Sequence, residues 1–523
     1  MSATEPEMLP YFPRAVATTR GDRAALIQAA TGAGITYSGL DEFASRLAKG
    51  FRSLGLRPGD HLSMCLENRP DYPALWWGAY YAGLYYTPIS TRLTPREVGH
   101  ILKDSGSTVL IASPSQADRL LPELHTLVPN VRAFVAGGRH EHGEPLERLI
   151  SGRGIELPTD GVEGAPMLYS SGTTGQPKGI KRPLSGAPLG STAAVAALAQ
   201  GVFGLGPDSI YLTAAPLYHA AGVGFVNAAT ALGATTVILD RFDAEQVLAA
   251  IERYGVTHAQ FVPTMFIRML ALPADVRAAY DLSSLRCAIH AAAPCPISVK
   301  NQMLDWWGPV VHEYYSGTEG VGFCHCGPAD WKDHEGSVGR PLMGELHIVD
   351  DAGHEAPQGV DGRIYFGNSP SFEYHNDPDK TRDAHLNGWA TLGDIGHVDA
   401  DGFLYLTDRA SDMIITGGVN VYPLEAENVL ISHPAVEDVA VIGVPNEEFG
   451  EEVKAIVQVA FPAEAGPALA VELIAWCRGR LADVKCPRTV EFRVALPREE
   501  TGKLYKRLLR DEDWAAATSR GAS

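Results

Sequence analysis

Cysteine is scarce in this chain, with 7 among 523 residues. Cys65, Cys287, Cys295, Cys324, Cys326, Cys477 and Cys486 are odd in number and follow no framework spacing, which excludes a disulfide-stapled scaffold and suits a reducing compartment. A cytoplasmic location is therefore expected. Positive charge is also short: 43 Lys and Arg face 62 Asp and Glu, for a formal net charge of −19. Such a surface excludes nucleic acid as the main partner, because neutralising phosphates needs a basic face. The start, Met1 to Arg20, carries Glu5, Glu7, Pro10 and Pro13 and lacks both the basic end and the apolar run of a signal peptide, so export is not expected. A long uninterrupted apolar run is missing too. Ser209 to Leu239 has no charged residue and is long enough to cross a bilayer, but Pro216, His219, Gly222, Gly224, Asn227 and Gly233 interrupt it. A buried helix and strand are expected there, with no membrane span.

What remains is ordinary globular composition, 45% hydrophobic and 20% charged, which excludes a wholly disordered chain. The length exceeds one compact core, so two or more domains are expected. In the first half, short apolar strands alternate with amphipathic helices: His61 to Leu66, Tyr72 to Ala82, Tyr85 to Ile89, Pro95 to Lys103, Thr108 to Ile111. That alternation implies parallel sheets covered by helices. Near residue 400 the texture changes. Gly402 to Thr407, Val439 to Val444 and Val453 to Val459 read as strands, with helices at Leu424 to Ile431 and Ala468 to Leu481. The expected fold is α/β, with a large N-terminal domain of stacked α/β subdomains (1–407) and a small, mobile C-terminal α+β domain (408–523). Asp408 to Asp412 reads as a short charged link where a hinge would sit.

The most informative segment is Tyr169-Ser170-Ser171-Gly172-Thr173-Thr174-Gly175-Gln176-Pro177-Lys178-Gly179. Its glycines let backbone N–H groups face an anion, its hydroxyls add donors, and Lys178 adds charge, which is chemistry for polyphosphate. It is not a Walker loop, because Gly179 stands where that motif has Ser or Thr.

With this string the sequence resembles the adenylate-forming superfamily that includes acyl-CoA synthetases, beetle luciferases and the adenylation domains of peptide synthetases, and the likeness runs over nearly the whole chain. Tyr315-Ser316-Gly317-Thr318-Glu319, preceded by Tyr314, resembles the family's second nucleotide segment. The resemblance implies that the aromatic ring stacks on adenine, Thr318 meets the α-phosphate and Glu319 helps hold Mg²⁺. A carboxylate beside phosphates would be repelled without a metal, so that pairing is physically sensible. His290-Ala291-Ala292-Ala293-Pro294 matches by order the small-residue turn that lies against adenine and the acyl group. Ala291 and Ala292 stand where many relatives have glycine. Thr391-Leu392-Gly393-Asp394 resembles the segment whose Asp accepts from both ribose hydroxyls. Asp408 and Arg409 match the family's hinge and the Arg that reaches the nucleotide, although Ser411 replaces the usual basic residue before Asp412. Gly417-Gly418 resembles the turn lining the pantetheine tunnel after domain rotation, and is also ordinary turn chemistry. Pro497 to Lys503 resembles the loop with the catalytic lysine, which would place Lys503 between the attacking carboxylate and the α-phosphate. Without that resemblance, Lys503, Lys506, Arg507 and Arg510 would read as a solvated helix face.

Pro216 to His219, followed by Ala220, Ala221 and Gly222, resembles the segment before the acyl-pocket helix, where His219 would gate the carboxylate site. Ala220, Gly222 and Ala291 leave room, Phe225 and Val226 offer apolar walls, and Gly317 borders both subsites. Cys324-His325-Cys326 has no second pair at finger-like spacing, so no structural metal is expected. The resemblance implies an enzyme that uses ATP, Mg²⁺ and CoA to activate an apolar carboxylic acid, aromatic or medium to long acyl, and transfer it to CoA. One alternative is the same activation with an amine acceptor. Another is a non-catalytic nucleotide-binding regulator, against which the joint presence of Lys503, Glu319 and Asp394 argues. The acid's identity and the oligomeric state stay open at this level.

Overall fold

The computed structural model describes residues 11–170, 177–191, 194–409, 411–446, 448–498 and 503–521. Ser171, Gly172, Thr173, Thr174 and Gly175, named above, lie outside the described residues, as do Ala410, Glu499, Glu500, Thr501 and Gly502. The chain is mixed α/β, with a large N-terminal domain and a small C-terminal one. Its contacts divide it into two compact units. The first comprises Met1–Phe261, Ala271–Ile289 and Ser371–Thr381, and the second Val262–Leu270, His290–Pro370 and Arg382–Ser523.

In the first unit, strands His61–Cys65, Tyr85–Pro88, Val109–Ala112 and Arg132–Val135 belong to a six-stranded sheet whose pairings are all parallel. Helices Asp71–Tyr81 and Pro95–Ser105 connect them as the alternation predicts. Pro95–Ser105 has a full capping box from Thr94 and Glu97 and a left-handed Gly106 at its end, so its limits are written in local chemistry. Within the chargeless stretch, strand Ile210–Thr213, helix Ala220–Ala231 and strand Thr235–Ile238 form a parallel unit with Tyr211 opposite Thr236. No helix among the described residues is long and apolar enough to cross a membrane.

The second unit holds an antiparallel ladder of Val311–Tyr315, Phe323–Cys326, Ser337–Met343, Leu404–Arg409, Trp389–Val398, Gly362–Gly367 and Glu345–Val349. The strand expected at Gly402 to Thr407 starts at Leu404 and runs to Arg409. Gly402 is in the left-handed region (φ 83°), and Asp399 accepts from the N–H groups of Asp401 and Phe403, which makes 399–403 a turn. Asp408 and Arg409 therefore sit on a strand, paired with Ile395 and Asp394, and not on a free link.

The C-terminal sheet is built on Val436–Asn446 and Gly450–Val459, joined by Ile414–Thr416, Val419–Val421 and Thr489–Phe492. Gly450–Val459 is central and Val436–Asn446 lies at the edge, with both of its faces buried. Val439 and Val441 share a core with Ala426, Leu430 and Leu473, whereas Ala440, Ile442 and Val444 share another with Leu496 and Leu509. Period-2 alternation thus serves two helical layers, one on each side.

Candidate active site

In the first unit the described residues flanking the phosphate-type segment pair with each other. Leu168–Ser170 pairs antiparallel with Lys178–Lys181, with Lys178 opposite Ser170. Gly179 is closely packed: a Cβ there would stand 2.6 Å from Met167 Cε and 3.0 Å from Tyr169 Cζ. Lys178 does not point into empty solvent: its ammonium pairs with Asp377 at 2.8 Å, and that bond holds the Asp377 carboxyl below its usual range. The strap bearing Asp377 is itself tied to this strand pair, because the His375 N–H donates to the Gly179 carbonyl at 2.8 Å. Asp377 was not among the residues the sequence singled out. Its only sequence signal is a polar Asn-Asp-Pro turn ahead of the short helix Pro378–Asp383.

Beside this strand pair, His61 stacks on Tyr85 at 4.7 Å and lies 6.1 Å from His375, with Lys181 over the Tyr85 ring at 5.0 Å. Burial first, and the nearby positive charge of Lys181 second, push the His61 imidazole down to about 4.

His219 caps helix Ala220–Ala231 by its backbone, and its ring lies tilted against Tyr218 at 4.5 Å. Gly222 lacks a side chain for a reason other than room for a ligand: a Cβ there would stand 2.8 Å from the Pro216 carbonyl oxygen. Phe225 packs into the unit's own core at 5.8 Å from Phe203 and 6.4 Å from Tyr211, and Val226 is fully buried.

In the second unit, three of the expected nucleotide residues meet. The Tyr315 hydroxyl donates to Asp394 Oδ2 at 2.7 Å, and Arg409 Nε lies 3.4 Å from Asp394 Oδ1. Burial raises the Asp394 carboxyl, against the lowering effects of Arg409 and the Tyr315 hydroxyl. Glu319 adds a further negative charge to this centre. Gly317 is the position that permits the arrangement, since a Cβ there would collide with Leu392 and stand 2.8 Å from Glu319 Oε2. Ser316 is turned away, its hydroxyl donating to the Gly322 carbonyl at 2.7 Å. Tyr314 faces the other side of the strand, stacked on Phe323 at 5.1 Å, whereas Tyr315 is on the face of Asp394. Thr318 lies in the turn closed by the Gly320 N–H on the Gly317 carbonyl.

Ala292 is one of four non-glycine residues with positive φ among the described residues, at 76°. That explains why glycine is the natural occupant there: an L side chain costs about 1–2 kcal/mol in this region. Ala291 is buried, whereas Ala293 and Pro294 emerge toward solvent. Just before them His290 is completely buried with neither ring nitrogen hydrogen-bonded, 5.3 Å from Phe266 and 3.6 Å from Glu313. Glu313 is paired with Lys300 at 2.6 Å, and Lys300 lies 3.7 Å over the Trp331 ring. This buried ion pair went unread in the sequence, where Lys300 is a single cation on an ordinary helix.

At the C-terminal end, Asp408 is doubly engaged, accepting from the N–H groups of Leu424 at 2.9 Å and Arg409 at 2.7 Å. It thereby supplies the cap that Tyr422 does not give to helix Pro423–Leu430. Gly417 and Gly418 form a two-residue turn, φ 57° and 80°, between strands Ile414–Thr416 and Val419–Val421. Lys503 precedes the last helix, Lys506–Gly521.

The chain is a mixed α/β protein of the adenylate-forming class. Residues 12–372 match the family of AMP-binding enzymes and residues 425–503 match the AMP-binding enzyme C-terminal domain, and the chain belongs to that family. It is 35% identical over 493 residues to a feruloyl-CoA synthase of an Amycolatopsis species, covering 91% of this chain and 93% of the relative. Among solved structures, an anthranilate CoA ligase, AuaEII, in complex with anthranoyl-AMP is similar with a TM-score of 0.85 and 26% identity, covering 98% of this chain and 99% of that one. The amide bond synthetase McbA from Marinactinospora thermotolerans is similar with a TM-score of 0.82 and 29% identity, covering 96% and 99%.

Proposed function

We propose that the protein is an AMP-forming acid–thiol ligase that activates an apolar carboxylic acid, aromatic or medium to long acyl, and hands the acyl group to CoA. The observation that carries the reading is the meeting of Tyr315 and Arg409 at the buried Asp394 carboxylate. In the first half-reaction a carboxylate oxygen forms a bond to the α-phosphorus of ATP, and the bond to the β-phosphate oxygen breaks, so that pyrophosphate leaves with the electron pair. Asp394 accepts from the ribose hydroxyls, and the Tyr315 ring supports adenine beside Ala292, Ala293 and Pro294. Thr318 and Lys503 hold the α-phosphate, and Ser170 to Lys178 hold the departing phosphates. These groups act by positioning and charge. In the second half-reaction the CoA thiolate attacks the acyl carbonyl carbon and AMP leaves.

Glu319 and phosphate oxygens would hold Mg²⁺, a set that suits a cation bound through one or two carboxylates plus substrate phosphates. A Cβ at 317 would stand 2.8 Å from Glu319 Oε2, so glycine leaves space beside that carboxylate. When bound, Mg²⁺ neutralises phosphate charge. The two halves are separated by rotation of the domain that begins at Asp408, which withdraws Lys503 and brings Gly417 and Gly418 to the thiol.

A second reading, transfer to an amine, is supported by the likeness to an amide bond synthetase. The test is mass analysis after incubation with MgATP, CoA, a pool of aryl and alkyl acids containing ferulate, anthranilate and dodecanoate, and a pool of amines. Thioesters are expected. Amides that persist without CoA would establish the second reading, and the absence of any pyrophosphate release would discard both in favour of a nucleotide-binding regulator.

A further inference from the structure

The loop that carries Lys503 is fixed at both feet to one strand of the C-terminal sheet. At its start, Arg498 makes two parallel bonds to Asp438, Nε to Oδ2 at 2.6 Å and Nη2 to Oδ1 at 2.6 Å. Asp438 lies on the edge strand Val436–Asn446. A bidentate guanidinium–carboxylate pair fixes orientation as well as distance, which a lysine ammonium cannot do. At the other foot, Lys506 opens the last helix and pairs with Glu427 at 2.9 Å, both side chains 13% exposed. Glu427 in turn accepts from the Val441 N–H at 2.7 Å, on that same edge strand. Between the two pairs the chain closes on itself. Arg498 and Leu504 form an antiparallel bridge, and the Tyr505 N–H donates to the Pro497 carbonyl at 2.9 Å. Leu504 packs against the core of Ala440, Ile442, Val444, Ile456, Leu496 and Leu509.

Lys503 therefore leaves the closed base of a loop whose register is set by Asp438 on one side and by Glu427 and Val441 on the other. We propose that Arg498 and Lys506 are positioning residues for Lys503, fixing where its ammonium is delivered in adenylate formation; the inference rests on the role given to Lys503 above. A lysine has four rotatable methylenes, and an ammonium that stabilises a transition state must come from an anchored backbone to act through position. Lys506 also feels the charges of Asp408 and Asp412, so the loop and the hinge residue share one electrostatic cluster. The alternative is that these pairs only hold the domain together, and the two roles differ in which half-reaction they affect.

The experiment compares Arg498→Leu, Arg498→Lys, Lys506→Met and Lys506→Arg with wild type and Lys503→Ala in the full chain. Pyrophosphate release is read in single turnover with MgATP and ferulate, or whichever acid of the pool wild type turns over fastest. Thioester formation is read separately from the matching synthetic acyl adenylate plus CoA, and thermal midpoints are recorded. Arg498→Leu and Lys506→Met are expected to slow pyrophosphate release by roughly tenfold to a hundredfold, the scale of a misplacement of about 1 Å. Thioester formation should stay within about twofold of wild type, because Lys503 has no part in it. Lys506→Arg should recover most of the rate, and Arg498→Lys only part of it, since the second parallel bond is gone. Equal loss of both half-reactions, or no loss of the first, would overturn the proposal. Where Arg498→Leu does not fold, Asp438→Asn, which keeps the shape and removes the charge, carries the same expectation. If Lys503→Ala itself leaves pyrophosphate release intact, the underlying role of Lys503 is what fails.

Discussion

Replacing Tyr315 by Phe keeps the aromatic ring and removes one oxygen, the donor of the 2.7 Å bond to Asp394. A hydrogen bond to a charged group is worth about 1.5–3 kcal/mol, and each 1.4 kcal/mol is about tenfold in affinity. Water can partly replace the hydroxyl, which favours the lower end, so AMP and ATP should bind about tenfold more weakly. The loss arises because the Asp394 carboxylate is no longer aimed, not because stacking is lost. Asp394→Asn removes the acceptor itself, and the double variant should then cost little more than Asp394→Asn alone. Dissociation constants for AMP from titration calorimetry on the four proteins give the coupling, expected at about 1 kcal/mol or more. The pH dependence supplies a second readout. The Tyr315 hydroxyl lowers the Asp394 carboxyl that burial raises, so without it the carboxyl titrates higher still. AMP affinity should accordingly fall off at a higher pH in Tyr315→Phe than in wild type as the solution is acidified. Additive effects within about 0.5 kcal/mol, together with an unmoved acid limb, would refute the reasoning.

Other consequences concern the turns and one histidine. Gly418→Leu should spare pyrophosphate release and block thioester formation, whereas Gly418→Asn, which tolerates the left-handed conformation, should keep the turn with φ 80° and lose less; unchanged thioester yield for the leucine variant would remove the tunnel role. Ala292→Gly relieves a left-handed alanine and should raise stability by roughly 0.5–1 kcal/mol once glycine's greater unfolded freedom is counted, a gain that denaturant midpoints would reveal and a lowered midpoint would contradict. His61, ordinarily titrating at 6.5 and held at about 4 in the fold, binds its proton more readily when unfolded. Its contribution to stability is therefore complete above pH 6.5 and lost as pH falls toward 4. His61→Gln should flatten that part of the stability profile, and an unaltered slope would show that other groups govern it.

The α/β class, the run of early strands and helices, and the C-terminal strands were legible because each is encoded within a few residues, as in the Thr94 to Glu97 capping box or the apolar run from Val439 to Val444, whereas the burial of both faces of that strand emerged only in the fold. The segment around Lys178 was legible as chemistry, since glycines, hydroxyls and a lysine are adjacent in the chain. Its partner Asp377 was not, because nearly two hundred residues separate them and an acidic turn looks the same wherever it docks.

The nucleotide residues Tyr315, Asp394 and Arg409 were each identifiable by local motif, yet their union rests on strand pairing that sets Asp394 opposite Arg409. Register fixed that meeting, and register follows from long-range packing of whole strands. Asp408 shows the same limit: its charge suggested a link, whereas the fold pairs its backbone in a sheet and uses its carboxylate to cap a helix sixteen residues on. Residue types by themselves determined which chemistry this protein can perform. Tertiary structure decided which of its charges are paired, buried or braced, because the free energy of a charge depends on what surrounds it in space and not on its neighbours in the chain.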